Sequence, residues 1–215
     1  QDDGDDFREA REVVRRFLAE RALGNADADE DVVVAGDLDP SIQSALGRSL
    51  ATFQVGESGT GEHLFAAARK ARVSPEYLLA LQGFVREERE HARLLAVVLD
   101  ALGHPLRDDH WTDRIFVLVR RLKSLRTELL TLLVAEVIAL RYYSALQDGI
   151  GSPDLAAVFE RIHADEVRHV EFHAATLPAR LATWPRPVQV LVRIAWNMLV
   201  TGTSLVVAVD HRRGT

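Results

Sequence analysis

Cysteine is absent from this chain. That excludes disulfides, thiolate-bound metals, iron–sulfur clusters and a cysteine nucleophile. Proline and glycine are scarce, at 7 and 13 of 215 residues, and the long runs rich in Ala, Leu, Arg and Glu carry helical periodicity, so the chain reads as all-α. No basic stripe rises above a net charge of −6, which argues against a nucleic-acid partner. The acidic start, QDDGDDFREA, lacks the apolar core of a signal peptide. It also lacks an initiator Met and reads as a trimmed end, and a cytoplasmic location is expected. One run, Val188–Val209, approaches membrane-span length, but it contains Gln189, Arg193, Asn197, Thr201 and Ser204. Arg and Asn are costly inside a bilayer, so no membrane span is expected. A helix packed on the body of the protein, or on a second copy in a homodimer, is expected instead.

An amphipathic segment at Asp5–Leu23, with Phe7, Val14, Phe17 and Leu18, precedes a polar linker, GNADADEDVVVAGDLDP, in which Val32–Val34 reads as a short extended piece. Asp39-Pro40 has the form of an N-cap with Pro at the first helical position and predicts a helix to about Ala71. Ser74-Pro75 predicts a second helix, stopped by Gly103. The apolar run from Ser124 to Gln147 predicts a third, and Ser152-Pro153 opens a fourth that ends near Pro178. A last helix follows WPRP at about Pro187. The expected organisation is residues 1–38 as helix and linker, 39–180 as a four-helix body, and 181–215 as a C-terminal apolar helix. The short connections ARVSP and DGIGSP join antiparallel neighbours.

Two of these helices carry the same pattern, Glu88-Arg89-Glu90-His91 and Glu166-Val167-Arg168-His169. Positions i and i+3 share a helix face, so each pair presents a carboxylate and an imidazole together. A lone Glu-x-x-His is weak, since charged helices produce it by chance. Phase strengthens it. The apolar stripe of the second helix runs Leu78, Leu81, Phe84, Glu88, His91, Leu95, Val98, Leu102, so the pair falls where burial is expected. In the fourth, Leu155, Phe159, Ile162, Glu166, His169, His173 and Leu177 do the same. Glu87 and Glu90 lie off the stripe and read as solvated.

Each remaining long helix holds one further misfit: Glu136 within LLTLLVAEVIAL, and Glu57 on the stripe Leu46, Leu50, Phe53, Glu57, Gly61, Leu64. Glu57 precedes Glu88 by 31 residues and Glu136 precedes Glu166 by 30. The chain thus reads as two copies of one unit. An isolated buried carboxylate costs several kcal/mol, so a shared compensator is required. Four carboxylates and two imidazoles from four helices are the ligand set of a carboxylate-bridged dinuclear site, with Glu57, Glu88, His91, Glu136, Glu166 and His169 as metal ligands. Oxygen and nitrogen donors without thiolate suit iron or manganese. Two iron ions are the expected cofactor, with iron–manganese or di-manganese as alternatives. The spacings place every ligand near mid-helix, roughly 20 Å from either end at 1.5 Å per residue. The stretch from His104 to Lys123 then becomes a crossover, partly helical around Trp111–Arg121, which makes the second and third helices parallel.

These residues resemble the ferritin-like di-iron carboxylate superfamily, a likeness that covers about Asp39 to Pro178. Phe53-Gln54-Val55-Gly56-Glu57-Ser58 is similar to the first-helix motif of rubrerythrins. Asp165-Glu166-Val167-Arg168-His169 is similar to the Asp-Glu-x-Arg-His motif of bacterial multicomponent monooxygenases. The resemblance implies a ferritin-like four-helix bundle with a crossover between helices two and three, here with extra N- and C-terminal helices. It also implies that Asp165 accepts a proton from a ligand histidine across the bundle. Rubrerythrins carry a cysteine-rich iron domain that this chain lacks, so electrons would come from a separate donor. Where ribonucleotide reductase small subunits place a tyrosine four residues after the first Glu-x-x-His, this chain has Leu95, against a radical role of that kind.

Tyr143, seven residues after Glu136, reads as a wall residue or a neighbour of the site. His173 has three readings: support for a ligand, channel lining, or a helix-end histidine favoured by the macrodipole. His163 and Glu62 are weaker ligand candidates. Gly56, Gly59 and Gly61 are costly in a helix, at ~1 kcal/mol each, and would admit close packing, a bulge, or space beside Glu57. The functional expectation is an oxidase or oxygenase acting with dioxygen on a small organic substrate. A ferroxidase or peroxide-scavenging protein is the alternative, and a non-enzymatic metal-binding bundle is a third.

Overall fold

Capping decides where the helices begin. The computed structural model describes residues 2–23, 38–107 and 124–181, with Arg186 and Val190. Six helices occupy these segments: α1 (Asp2–Leu23), α2 (Pro40–Glu57), α3 (Glu62–Lys70), α4 (Pro75–Ala101), α5 (Leu125–Gly149) and α6 (Pro153–Leu181). Among the described residues there is no strand. Three side chains satisfy backbone N–H groups that the first helical turn leaves unpaired: Asp39 accepts from Ser41, Ser74 from Tyr77 and Ser124 from Thr127. Pro40 and Pro75 follow their caps, where a missing N–H costs nothing.

The helix expected from Asp39 to Ala71 is two helices. α2 ends at Glu57, the Ser58 N–H closes back on the Val55 carbonyl at 3.3 Å, and α3 starts only at Glu62. Gly61 turns the chain with φ +71°, and a Cβ there would stand 2.7 Å from Val85 Cγ2. Glycine answers both demands, since it alone enters the left-handed region freely and lacks the clashing atom. Glu57 is consequently the last residue of α2, not a mid-helix residue. α6 also departs from expectation, running three residues past Pro178 to Leu181. The expected extended piece at Val32–Val34, the helical crossover at Trp111–Arg121 and, apart from Val190, the C-terminal helix lie outside the described residues.

α2 packs on α4 and α5 on α6, each as an antiparallel pair. Gln43 at the start of α2 donates to the Leu102 carbonyl beyond the end of α4, and Gln54 near the end of α2 donates to Ala92. α5 and α6 are joined by Ile150–Ser152 alone. α1 lies across α6 and α4. It buries Val14 and Phe17, and Phe17 stacks on Phe172 with ring centroids 4.9 Å apart.

The apolar core has two parts. One gathers Phe17, Leu81, Phe84, Leu129, Leu133 and Phe172. The other gathers Leu50, Leu95, Leu99, Tyr143, Phe159 and Ile162. On α4, α5 and α6 alike, carboxylates interrupt the apolar packing between the two clusters, joined on α4 and α6 by an imidazole. α5 is the one described helix long and apolar enough by composition to cross a membrane. Its buried Glu128 and Glu136 and its packing along α6 fit a core helix better, because carboxylates are costly in hydrocarbon.

Candidate metal centre

The polar layer between the two apolar clusters assembles from four helices. α2 supplies Glu57, α4 supplies Glu88 and His91, α5 supplies Glu136, and α6 supplies Glu166 and His169. Their donor atoms form two groups, each with all atoms within 4.8 Å of one another. Glu57, Glu88, His91 and Glu166 make one; Glu88, Glu136, Glu166 and His169 make the other. Glu88 and Glu166 belong to both, which is what two bridging carboxylates between two ions require. Both imidazoles, Glu57, Glu136 and Glu166 are buried, and the Glu88 side chain is 15% exposed.

Each histidine is aimed from behind. His91 Nε2–H donates to Asp165 Oδ2 at 3.0 Å, and His169 Nε2–H donates to Glu87 Oε2 at 3.0 Å. These bonds span the bundle in opposite directions: α4 to α6, and α6 to α4. In the neutral ring they fix the tautomer that turns each Nδ1 lone pair inward. His91 Nδ1 lies 3.3 Å from Glu166 Oε1. His169 Nδ1 lies 3.1 Å from Glu88 Oε1 and 3.3 Å from Glu136 Oε2. Arg168 donates to the other oxygen of Asp165, so Asp165 is itself held.

Glu87 corrects the sequence reading. It is not a solvated neighbour of the candidate ligand Glu88 but the acceptor for His169. The repeat contained the signal. Glu87 precedes Glu88 as Asp165 precedes Glu166, so a role for one at a pseudo-equivalent position implied a role for the other. Glu62 and His63 are exposed, and neither joins the cluster. His163 is half-buried outside it.

Tyr143 is fully buried and donates its hydroxyl to Glu57 Oε1 at 3.2 Å. Burial, with Glu57 and Glu166 close by, raises its pKa well above 10 and keeps that proton in place. His173 is also fully buried, edge-on to Phe84 at 4.8 Å, and neither ring nitrogen has a hydrogen-bond partner among the described residues. Burial and the neighbouring His169 push it down to about 3, so it is a neutral ring. Sequence reasoning missed two further residues. Phe17 of α1 lies 6.2 Å from the His169 ring, and Glu128, two turns before Glu136, is buried. No local pattern places either one beside the site.

A group of buried carboxylates this close cannot all stay ionised without cations. Burial and the neighbouring Glu88 and Glu166 carboxylates raise Glu57 and Glu136 well above the usual range. Burial pulls His91 down, but Asp165, Glu166 and Glu88 outweigh it and hold it at about 9. His169 is likewise raised, against burial, by Glu136, Glu166, Glu87 and Glu88. Glu166 is lowered despite burial, because Glu136 and both imidazoles lie close against it. Protons thus do the neutralising when metal does not.

The donor set fits a metal pair. Glu88 Oε1, His91 Nδ1, Glu136 Oε2, both Glu166 oxygens and His169 Nδ1 are buried with no hydrogen-bond partner among the described residues. Orphaned buried polar atoms of this kind are rare in folded proteins and call for an explanation such as an ion. Two divalent cations would bring four positive charges against four carboxylates, satisfying the orphaned atoms together. No protein-family model matches the chain, and no curated protein or solved structure matches it either. The case for the site therefore rests on its own geometry.

Proposed function

We propose that the chain is a di-iron oxidase or oxygenase of the ferritin-like kind, activating dioxygen for attack on a small organic substrate. The observation that carries this reading is the pair of four-atom ligand groups sharing Glu88 and Glu166. Oxygen and nitrogen donors without thiolate favour iron or manganese. The helix directions support the bundle type. Tyr77 at the start of α4 meets Thr176 near the end of α6, and α6 is antiparallel to α5. α4 and α5 therefore run parallel, as a crossover through residues 102–124 would make them.

Two reduced irons held there would supply electrons to dioxygen. The protein's residues prepare that chemistry. Asp165 and Glu87 orient the imidazoles, and Tyr143 fixes one oxygen of Glu57. The apolar clusters on either side exclude water, which strengthens every electrostatic interaction inside. Electrons come from a separate donor, because the chain has no cysteine to hold an iron–sulfur or rubredoxin-type centre.

Metal analysis with optical spectra tests the reading. The expected content is about two irons per chain, with oxo-bridged absorption in the near ultraviolet. A protein that takes up no metal would sink the proposal. Turnover confined to ferrous iron or peroxide, with no organic accelerating dioxygen consumption, would replace it with the ferroxidase or peroxidase reading.

A further inference from the structure

Three glycines crowd around Glu57, and the metal ligands alone do not explain them. In the fold, Gly56, Gly59 and Gly61 border a cavity of about 100 Å3 at the break between α2 and α3. The same cavity is lined by the ligands Glu57 and Glu88, by Phe84, Val85 and Leu132, and by Glu128. It therefore connects the interrupted end of α2 to one face of the ligand cluster. Gly56 and Gly59 have open space where a Cβ would stand, and Gly61 holds the turn that keeps the two helices apart. A continuous helix would have carried its next turn of backbone through this gap.

We propose that the break between α2 and α3 is the mouth through which substrate reaches the Glu57–Glu88 face of the metal pair. This rests on the dinuclear reading above. The mouth sets the substrate class. An apolar cavity of roughly 150 Å3 takes benzene, and this one is smaller and mixed in character. It fits a short aliphatic molecule whose carbon chain lies on Phe84 and Leu132 and whose polar end is held by the Glu128 carboxyl.

The natural lack of cysteine makes the test direct, because Leu132→Cys places a single thiol in the cavity wall. Its labelling is followed in the full-length, metal-loaded protein with methyl methanethiosulfonate and with fluorescein maleimide, each scaled to its rate with a free thiol. The small reagent is expected to react at least about tenfold faster on that scale, as enclosure by a narrow cavity requires. Adding Gly56→Leu is expected to slow it by about tenfold, with Ala174→Cys on the exposed face of α6 as an unaffected control. Gly59→Leu serves if Gly56→Leu does not fold. 1-Propanol should protect the thiol, and Glu128→Leu should remove that protection. Equal scaled rates for the two reagents, or no slowing in a folded glycine variant, would overturn the mouth. Protection that survives Glu128→Leu would overturn the assignment of the polar end. Metal content is measured separately on the parent protein. A metal-free parent overturns the dinuclear reading and the substrate assignment with it, whereas full metal content with unchanged labelling overturns the mouth alone.

Discussion

His91 of α4 and Asp165 of α6 are joined by a 3.0 Å hydrogen bond, and His169 of α6 answers it with a 3.0 Å bond to Glu87 of α4. The two bonds orient both inward-facing imidazoles and tie the same two helices together. Asp165→Asn and Glu87→Gln each keep an acceptor oxygen but lose the charge and can present an amide instead. Each is expected to weaken metal affinity by about 10–100-fold without loss of helix content. Competition against a chelator, with circular dichroism in parallel, checks this. Unchanged affinity in Glu87→Gln would return Glu87 to the solvated surface.

Glu136→Ala removes a donor from only one of the two groups. Glu57, Glu88, His91 and Glu166 remain, so content should fall from about two metals per chain to about one. Glu62→Ala should leave content unchanged, since Glu62 is exposed and outside both groups. Elemental analysis of the two variants decides. Equal losses would mean that the wrong carboxylates have been assigned to the site.

Metal binding should depend on pH through His91. It is held at about 9 without metal and must be neutral to ligate. Apparent affinity should therefore fall as pH drops below 9, by about tenfold per unit for each proton displaced. Metal-free stability takes the opposite sign. A histidine raised above its unfolded value stabilises fully below about 6.5 and loses that contribution as pH rises through about 9. Thermal melts of metal-free protein should fall between pH 6.5 and 9.5, and metal should abolish most of that fall.

His173 acts on the other limb. Its pKa is depressed to about 3, so the unfolded chain binds its proton first as pH falls from about 6.5. Stability should decline across pH 6.5 to 3 by this route. His173→Leu removes two buried nitrogens without a hydrogen-bond partner among the described residues and should raise stability by up to about 1 kcal/mol at neutral pH. It should also flatten the acid limb of the melting profile. A strong destabilisation would point to a hydrogen-bonded role for the ring.

Gly61→Ala should destabilise by roughly 1–3 kcal/mol, because the new Cβ combines a left-handed φ with a clash on Val85. Gly56→Ala, in open space within helical backbone, should be neutral or slightly stabilising. Denaturant midpoints distinguish the two positions.

The caps at Asp39, Ser74 and Ser124 were legible because an N-cap is a local device, set by a side chain and the next few N–H groups. The phase of the candidate ligands was legible for a similar reason: a buried stripe repeats every three to four residues, so Glu57, Glu88, His91, Glu136, Glu166 and His169 stand out by interrupting it. The α2–α3 break was not. Glycine costs a helix only ~1 kcal/mol and also suits a turn, so its presence did not decide between them, and the contact that demands glycine at 61 comes from Val85, 24 residues further along the chain.

The sequence by itself determined where α2, α4, α5 and α6 begin, the caps at Asp39, Ser74 and Ser124, and the six candidate residues that interrupt the apolar stripes, since all of these follow from spacing along one chain. Only the tertiary structure decided which atoms those residues share and what stands behind them. Glu87 faces His169 because α4 and α6 pack in one particular register, and Phe17 reaches His169 because α1 lies across that pair. The cavity beside Glu57 and the buried setting of Glu128 likewise exist only between helices. Contacts between elements depend on orientation in three dimensions, and no periodicity within a single element encodes that.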